Sequence, residues 1–266
     1  MKKSIIFSLL FSLSFTACAK TASENYFGEN SNSKKEYEIF KKNISKAFEY
    51  ETPTQWGETV TGIKTKLDTQ EKVIALTMDA CGSPQGMAYD EKLVDFLKKE
   101  NIPATLFINA RWIDKNLATF KSLASNPLFE IGNHGLEHKP ASVNGKSIYG
   151  LNGSKNVSEL IDEIELNARK IESITHKRPK YFRSGTAYYD EVAVKISNAL
   201  HHDVVGFSIL GDRGATYNEK EVEDAFLKAK KGEIVIIHMN HPESQTANGT
   251  IKAIKELKEK GFKFVK

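Results

Sequence analysis

The chain is 266 residues long, with 40% hydrophobic and 27% charged side chains and a formal charge of +4. That is ordinary globular composition, with enough apolar material for one sizeable core. Lys2 and Lys3 lie in a segment that reads as a removable signal, and without them the charge is +2, too even a balance to draw the chain to nucleic acid.

Residues 1–18 start basic at Lys2-Lys3, run apolar from Ile5 to Phe15 and end in small residues. This is the signal-peptide pattern, too short for a membrane span. The mature chain is therefore expected to be exported, to the periplasm or the cell surface. Phe15-Thr16-Ala17-Cys18 resembles a lipoprotein box, while Ala17-Cys18-Ala19 also suits ordinary cleavage. Lipidation of Cys18 is the preferred reading, and the lipid would be the only contact with a membrane. Cys81 is then the one cysteine left with a free thiol, with no partner for an internal disulfide.

Residues 19–71 read as a tether and N-terminal extension. Residues 21–35 are rich in Ser, Asn, Glu and Lys, which predicts a flexible tether. Tyr37, Phe40, Ile44, Ala47 and Phe48 recur at helical spacing, and residues 52–68 hold Trp56 among turn formers. Both are expected to pack on the main domain, residues 72–266.

Within that domain the strand-like runs are 73–78, 104–109, 129–132, 180–183, 204–208, 233–238 and 262–265. Helical stretches lie between them at 90–100, 157–174, 190–200, 219–230 and 250–260. Repeated βα order predicts an α/β fold, either a parallel barrel or a doubly wound sheet. Asp79, Asn109, His134, Arg183 and His238 each end or directly follow a different strand, which favours the barrel, whose sites are built at carboxyl strand ends. No GxGxxG or P-loop pattern is present, which argues against nucleotide binding.

His134 and His138 stand four apart in Asn133-His-Gly-Leu-Glu-His. On one helical turn that spacing aims two imidazoles at one point, as a divalent metal requires. Asp79 emerges from a central strand and can either ligate the ion or deprotonate a water. Arg183 can hold that carboxylate ionised. His238 closes an apolar run and can protonate a departing amine, with Asp212 of Gly211-Asp-Arg-Gly214 orienting it. Asp212 reads almost as well as a turn residue between glycines. His241, just past His238, can line the cleft, whereas His176, His201 and His202 lie in or beside helices.

In this order these residues resemble the motifs of the NodB-homology polysaccharide deacetylases of carbohydrate esterase family 4. Thr77-Met78-Asp79 matches the first motif, His134 to His138 the second, Phe182-Arg183 the third, Gly211-Asp212 the fourth and Ile236-Ile237-His238 the fifth. The resemblance implies a distorted (β/α)7 barrel and metal-dependent removal of N-acetyl groups, with zinc the expected ion and a glycan such as peptidoglycan the partner. It implies Asp79 as base, His134 and His138 as metal ligands, Arg183 tuning the base, and Asp212 supporting His238 as acid. Thr186 and Ile236 fall in motif positions expected to touch substrate.

Two departures stand out. The family has a second aspartate, a metal ligand, where this chain has Ala80 followed by Cys81-Gly82. Asp79 can ligate instead, Cys81 can supply a thiolate, or waters can fill the gap; Asp79 as ligand or base is preferred. Ser184-Gly185-Thr186 replaces the usual Pro-Pro-Tyr, so that a backbone N–H near Thr186 would face the oxyanion. These changes keep two rivals open: hydrolysis of a C–N bond in a small amide or imide, and a glycan-binding envelope lipoprotein without turnover.

Overall fold

The computed structural model describes residues 22–28 and 30–266. The signal segment and Cys18 lie outside the described residues. In chain order the elements are α1 (Ala22–Phe27), α2 (Ser31–Ala47), β1 (Val73–Ala80), α3 (Glu91–Lys99), β2 (Ala104–Ile108), α4 (Ala110–Lys115), α5 (Leu117–Ser125) and β3 (Phe129–Asn133). Then come β4 (Ser147–Ile148), β5 (Leu151–Asn152), α6 (Val157–Thr175), β6 (Tyr181–Phe182), α7 (Glu191–Ala199), β7 (Asp203–Val204) and β8 (Ile209–Leu210). The chain ends with α8 (Glu219–Leu227), β9 (Glu233–His238), α9 (Thr246–Glu259) and β10 (Lys263–Val265). No helix among the described residues is long and apolar enough to cross a membrane.

The strands curl into a distorted βα barrel in the order β7-β6-β3-β2-β1-β9-β8, and every pairing in it is parallel. β10 pairs with residues 73–75 of β1, below the point where β2 takes over at Thr77. β4 and β5 form a separate antiparallel hairpin.

Period-two alternation divides each strand between two environments. Ile74, Leu76, Met78 and Ala80 of β1, with Val235 and Ile237 of β9, join the core beneath the helices. Ala75 and Ile234 turn the other way and pack with Phe107 and Val205 along the barrel axis. Gly132 of β3 faces the same axis, where a Cβ would come within 2.7 Å of the Phe107 ring. Below Phe107 the axis opens at the amino end of the strands into a cavity of about 400 Å³, on the side away from the polar strand ends.

Between β7 and β8 the barrel is split, and the extension fills the gap. Lys64 N–H donates to Val204 O at 2.9 Å, Gly206 N–H donates to Lys64 O at 2.9 Å, and Leu67 N–H donates to Gly232 O at 2.7 Å. Of the expected strand at 204–208 only Val204 lies in a strand, at the end of β7, and β8 begins just after it at Ile209, because the strap takes the backbone bonds in between. Gly57 and Tyr189 exchange backbone bonds at 3.0 Å, tying the strap to the loop before α7.

The flexible tether expected over 21–35 is corrected. Residues 22–27 are helical, Ser23 is buried, and the Phe27 ring lies 5.2 Å from that of Tyr37. Tyr37 gives these turns something to pack on: it is fully buried, and its hydroxyl donates to Asp162 of α6 at 2.5 Å, beside Lys41 at 3.1 Å. Polar composition misleads here because few apolar residues suffice against a ready-made helix face.

Three further elements differ from the sequence reading. α4 and α5 were not expected, since each is short and they meet at Asn116. α9 starts at Thr246, ahead of the expected 250, and runs through Gly249. That glycine reads as a breaker, but it lets α9 approach α8: a Cβ would stand 2.5 Å from Glu219 O.

Candidate active site

Alternation along β1 that puts Ala75 on the barrel axis brings Asp79 to the carboxyl end on the same side. Asp79 is 2% exposed. Its Oδ1 accepts from Arg183 Nη1 at 2.8 Å, and its Oδ2 lies 3.7 Å from His134 Nε2. Arg183 spends its remaining donors on the split edge: Nε to Val205 O at 3.1 Å and Nη2 to Gly206 O at 2.8 Å. Its guanidinium stacks 4.2 Å above the Phe107 ring. The base candidate is thus gripped at one oxygen by a cation that cannot swing away.

The two histidines do converge, but not on a helical turn as their spacing suggested. Residues 134–138 form a loop after β3, with Gly135 at φ 77° and His138 at φ 61°. Asn109 Nδ2 donates to His134 O at 3.0 Å and to Gly135 O at 2.8 Å, and Asn133 Oδ1 accepts from Gly135 N–H at 2.9 Å. Glu163 of α6 accepts from Glu137 N–H at 2.9 Å and from Lys139 N–H at 3.0 Å. Buried asparagines and one buried carboxylate therefore fix the loop that a helix would have fixed by its own bonds.

His134 is 1% exposed, and its Nδ1–H donates to Arg183 O at 2.9 Å. With Nδ1 carrying the proton, the Nε2 lone pair points into the mouth, as a ligating histidine requires. His138 Nε2 is buried and has no hydrogen-bond partner among the described residues. A buried imidazole nitrogen without a partner is costly unless something fills it. The donor atoms of Cys81, His134 and His138 all lie within 4.8 Å of one another. Two imidazoles and a thiol suit a divalent ion of zinc type. Burial raises the Cys81 thiol, but His138, His238 and His134 around it bring it well below its usual value. Burial depresses His134, yet Asp79 and Cys81 leave it raised.

On the neighbouring strand, His238 ends β9 beside Asp79, its register partner. Its Nδ1–H donates to Asp212 Oδ1 at 2.9 Å and its backbone N–H to Asp212 Oδ2 at 2.7 Å. Asp212 is fully buried and also accepts from the Thr246 hydroxyl at 3.1 Å and from Gly214 N–H at 3.2 Å. Burial alone would lower the His238 pKa, but the Asp212 carboxylate, with Cys81, holds it well above the usual value. Asp212 itself is shifted down: burial opposes this and His238 overcomes it. An imidazole so placed is a stored proton, and the Cys81 thiol lies within hydrogen-bonding reach of it.

The residues expected to touch substrate lie at different depths. Thr186 sits in the turn closed by Ala187 N–H to Ser184 O at 3.0 Å, and Gly185 packs on the backbone of His138, where a Cβ would come within 2.3 Å. Ile236 is buried at 4%, one axial layer below His238, and so forms the floor. His241 lies on the rim, bonded to Glu243 at 2.9 Å. Glu163 and Thr246 were not singled out in the sequence, because a glutamate in an amphipathic helix and a threonine before one look like surface residues. His202 is buried away from the mouth, beside the Phe182 ring.

The family model for polysaccharide deacetylases matches residues 66–205, more than half of the chain. The peptidoglycan-N-acetylglucosamine deacetylase of Bacillus cereus is 28% identical over 204 residues, 75% of this chain and 88% of that protein. The peptidoglycan-N-acetylmuramic acid deacetylase PdaA of Bacillus subtilis is 25% identical over 202 residues, 74% of this chain and 70% of that one. A solved CE4 family pseudoenzyme from Bacillus anthracis shares the fold, with a TM-score of 0.63 at 23% identity over 81% of this chain and 68% of that chain. The chain belongs to the polysaccharide deacetylase family, as a NodB-homology enzyme of carbohydrate esterase family 4.

Proposed function

We propose that this enzyme removes N-acetyl groups from an amino-sugar polymer of the cell envelope, with peptidoglycan or another N-acetylglucosamine glycan as substrate. The reading is carried by one arrangement: a carboxylate fixed at one oxygen and a carboxylate-backed imidazole end adjacent strands at a mouth lined by two further imidazoles. Both named relatives act on peptidoglycan amino sugars by their names, which supports the substrate class.

His134 and His138 would hold a divalent ion, zinc by donor type. Such an ion, when bound, supplies a Lewis acid that polarises the acetamide and makes water a better nucleophile. Asp79 accepts the proton of the attacking water at Oδ2, since Oδ1 is engaged by Arg183. A backbone N–H in the Thr186 turn faces the oxyanion. His238 delivers its Nε2 proton to the leaving nitrogen, and Asp212 stabilises the imidazolium until that moment. Water and acetamide become acetate and a free amine. Ile236 and His241 bound the space in which the sugar sits.

Residues 1–18 act as a lipoprotein-type export signal in this reading, with Cys18 as the anchor of an envelope enzyme and residues 19–71 joining it to the catalytic domain. The test is acetate release from N-acetylglucosamine oligomers and from purified peptidoglycan with zinc added, compared among wild type, Asp79→Asn and His238→Ala. Release by wild type alone is expected. Glycan binding without acetate from any form would instead support the non-hydrolytic reading.

A further inference from the structure

The family position for the third protein ligand is occupied by Ala80, which is fully buried and packs in the core beneath the helices. A side chain at 80 in this backbone is directed into that core and not into the mouth. Cys81 is two residues past Asp79 and so returns to the face on which Asp79 lies. Gly82, at φ 66°, then turns the chain away, and a Cβ there would stand 2.8 Å from both Asn109 Oδ1 and Trp112 N. The turn that only glycine permits keeps the thiol in the mouth.

We propose that Cys81 is the third protein ligand, so that this chain holds its ion with a His-His-thiolate set in place of the family's two histidines and an aspartate. The inference rests on the metal-dependent reading above and replaces the preference for Asp79 as ligand. Zinc bonds of about 2.3 Å to sulfur and about 2.0 Å to nitrogen at a tetrahedral angle put the two donors about 3.5 Å apart. Cys81 Sγ lies 3.7 Å from His134 Nε2. Asp79 Oδ2 is equally far from that nitrogen, yet Asp79 does not join the group of mutually close donors that includes His138.

The partnerless Nε2 of His138 and the Nε2 of His134, fixed by the Nδ1 bond to Arg183 O, supply the other two corners. A thiolate carries the charge of the carboxylate it replaces, so the net charge of the site is kept. Its softness shifts the choice of ion toward zinc or cobalt(II) and away from manganese(II) or magnesium(II). Asp79 is left to Arg183 and to proton transfer.

X-ray absorption at the zinc edge of the full zinc-loaded chain reads the ligand set directly. One sulfur neighbour at about 2.3 Å is expected, and in the cobalt(II) form a near-ultraviolet thiolate-to-metal band. In Cys81→Ser both signals should vanish and zinc affinity should fall by at least tenfold. In Cys81→Asp an ion should still bind, with the zinc-over-manganese preference reduced at least tenfold. Thermal melts of both variants check that they fold.

Bound zinc without a sulfur neighbour in wild type overturns the proposal while leaving the deacetylase reading intact. Failure of wild type to bind any divalent ion overturns both. If acetate release is absent although zinc sits on sulfur, the proposal stands and the functional reading fails.

Discussion

Arg183 and Asp79 form an ion pair wholly inside the barrel mouth: Nη1 is 2.8 Å from Oδ1, and the side chains are 0% and 4% exposed. A buried charge left without its partner is costly, so Arg183→Met should destabilise the fold by about 3–5 kcal/mol. Arg183→Lys, which cannot reach Asp79, Val205 and Gly206 together, should lose most of the activity even where it folds. Chemical denaturation and acetate release measure the two effects separately.

On the proposed mechanism the Asp212–His238 pair should set the alkaline limb of the pH profile. His238 is held well above its usual pKa, after burial is offset by Asp212 and Cys81. A raised histidine contributes stability that is complete below its unfolded pKa of about 6.5 and is lost as pH rises through the folded value. The proton for the leaving amine disappears over that same upper range. Asp212→Asn should therefore move the alkaline limb of kcat/KM toward lower pH and reduce the rate at its optimum by about 10²-fold. An unmoved limb would show that another group supplies the proton.

Glu163 positions the histidine loop from outside the proposed ligand set, since its carboxylate accepts the N–H groups of Glu137 and Lys139. Loss of such an outer support typically costs about 10–100-fold in metal affinity. Glu163→Ala should show this in a zinc titration, with the rate at saturating zinc affected less. Burial raises the Glu163 pKa to about 7, against the pull of those two N–H groups. A raised carboxyl favours the fold fully below its unfolded pKa of about 4.3, and that contribution is lost as pH climbs to about 7. In Glu163→Ala the corresponding slope of stability against pH should be absent.

Gly185 admits no side chain, because a Cβ would lie 2.3 Å from the His138 carbonyl carbon and 2.4 Å from its oxygen. Backbone cannot yield as a flexible side chain does. Gly185→Ala should push His138 out of the mouth, abolish zinc binding at micromolar concentration and lower stability by about 1–3 kcal/mol. Isothermal titration and a thermal melt distinguish local from global damage.

Much of this was legible before any coordinates. The runs at 73–78, 104–108 and 234–237 announce central strands because parallel strands covered on both faces are near-continuously apolar, whereas 129–132 carries Glu130 and is legible only from its place in the βα order. Asp79 and His238 stand out because each is a polar residue closing such an apolar run, whereas Arg183 follows only Tyr181-Phe182 and reads equally as a structural ion pair. The strand at 204–208 was misjudged because its backbone partners come from Lys64, far away in sequence. The histidine pair was read correctly as convergent and wrongly as helical, since spacing alone cannot reveal that Asn109, Asn133 and Glu163 bend the loop. Cys81 does not stand out in the sequence because its neighbour Ala80 occupies the expected ligand position, and only the alternation of β1 shows that place turned into the core.

The strap at residues 64–67 means that the catalytic unit does not begin at its first long strand. A recombinant protein started at residue 72 would carry every residue of the proposed chemistry, but its seam at Val204 and Gly206 would be open. Those are the carbonyls and neighbours on which Arg183 leans. Where an expression vector cuts the gene therefore decides whether the proposed base, Asp79, is aimed.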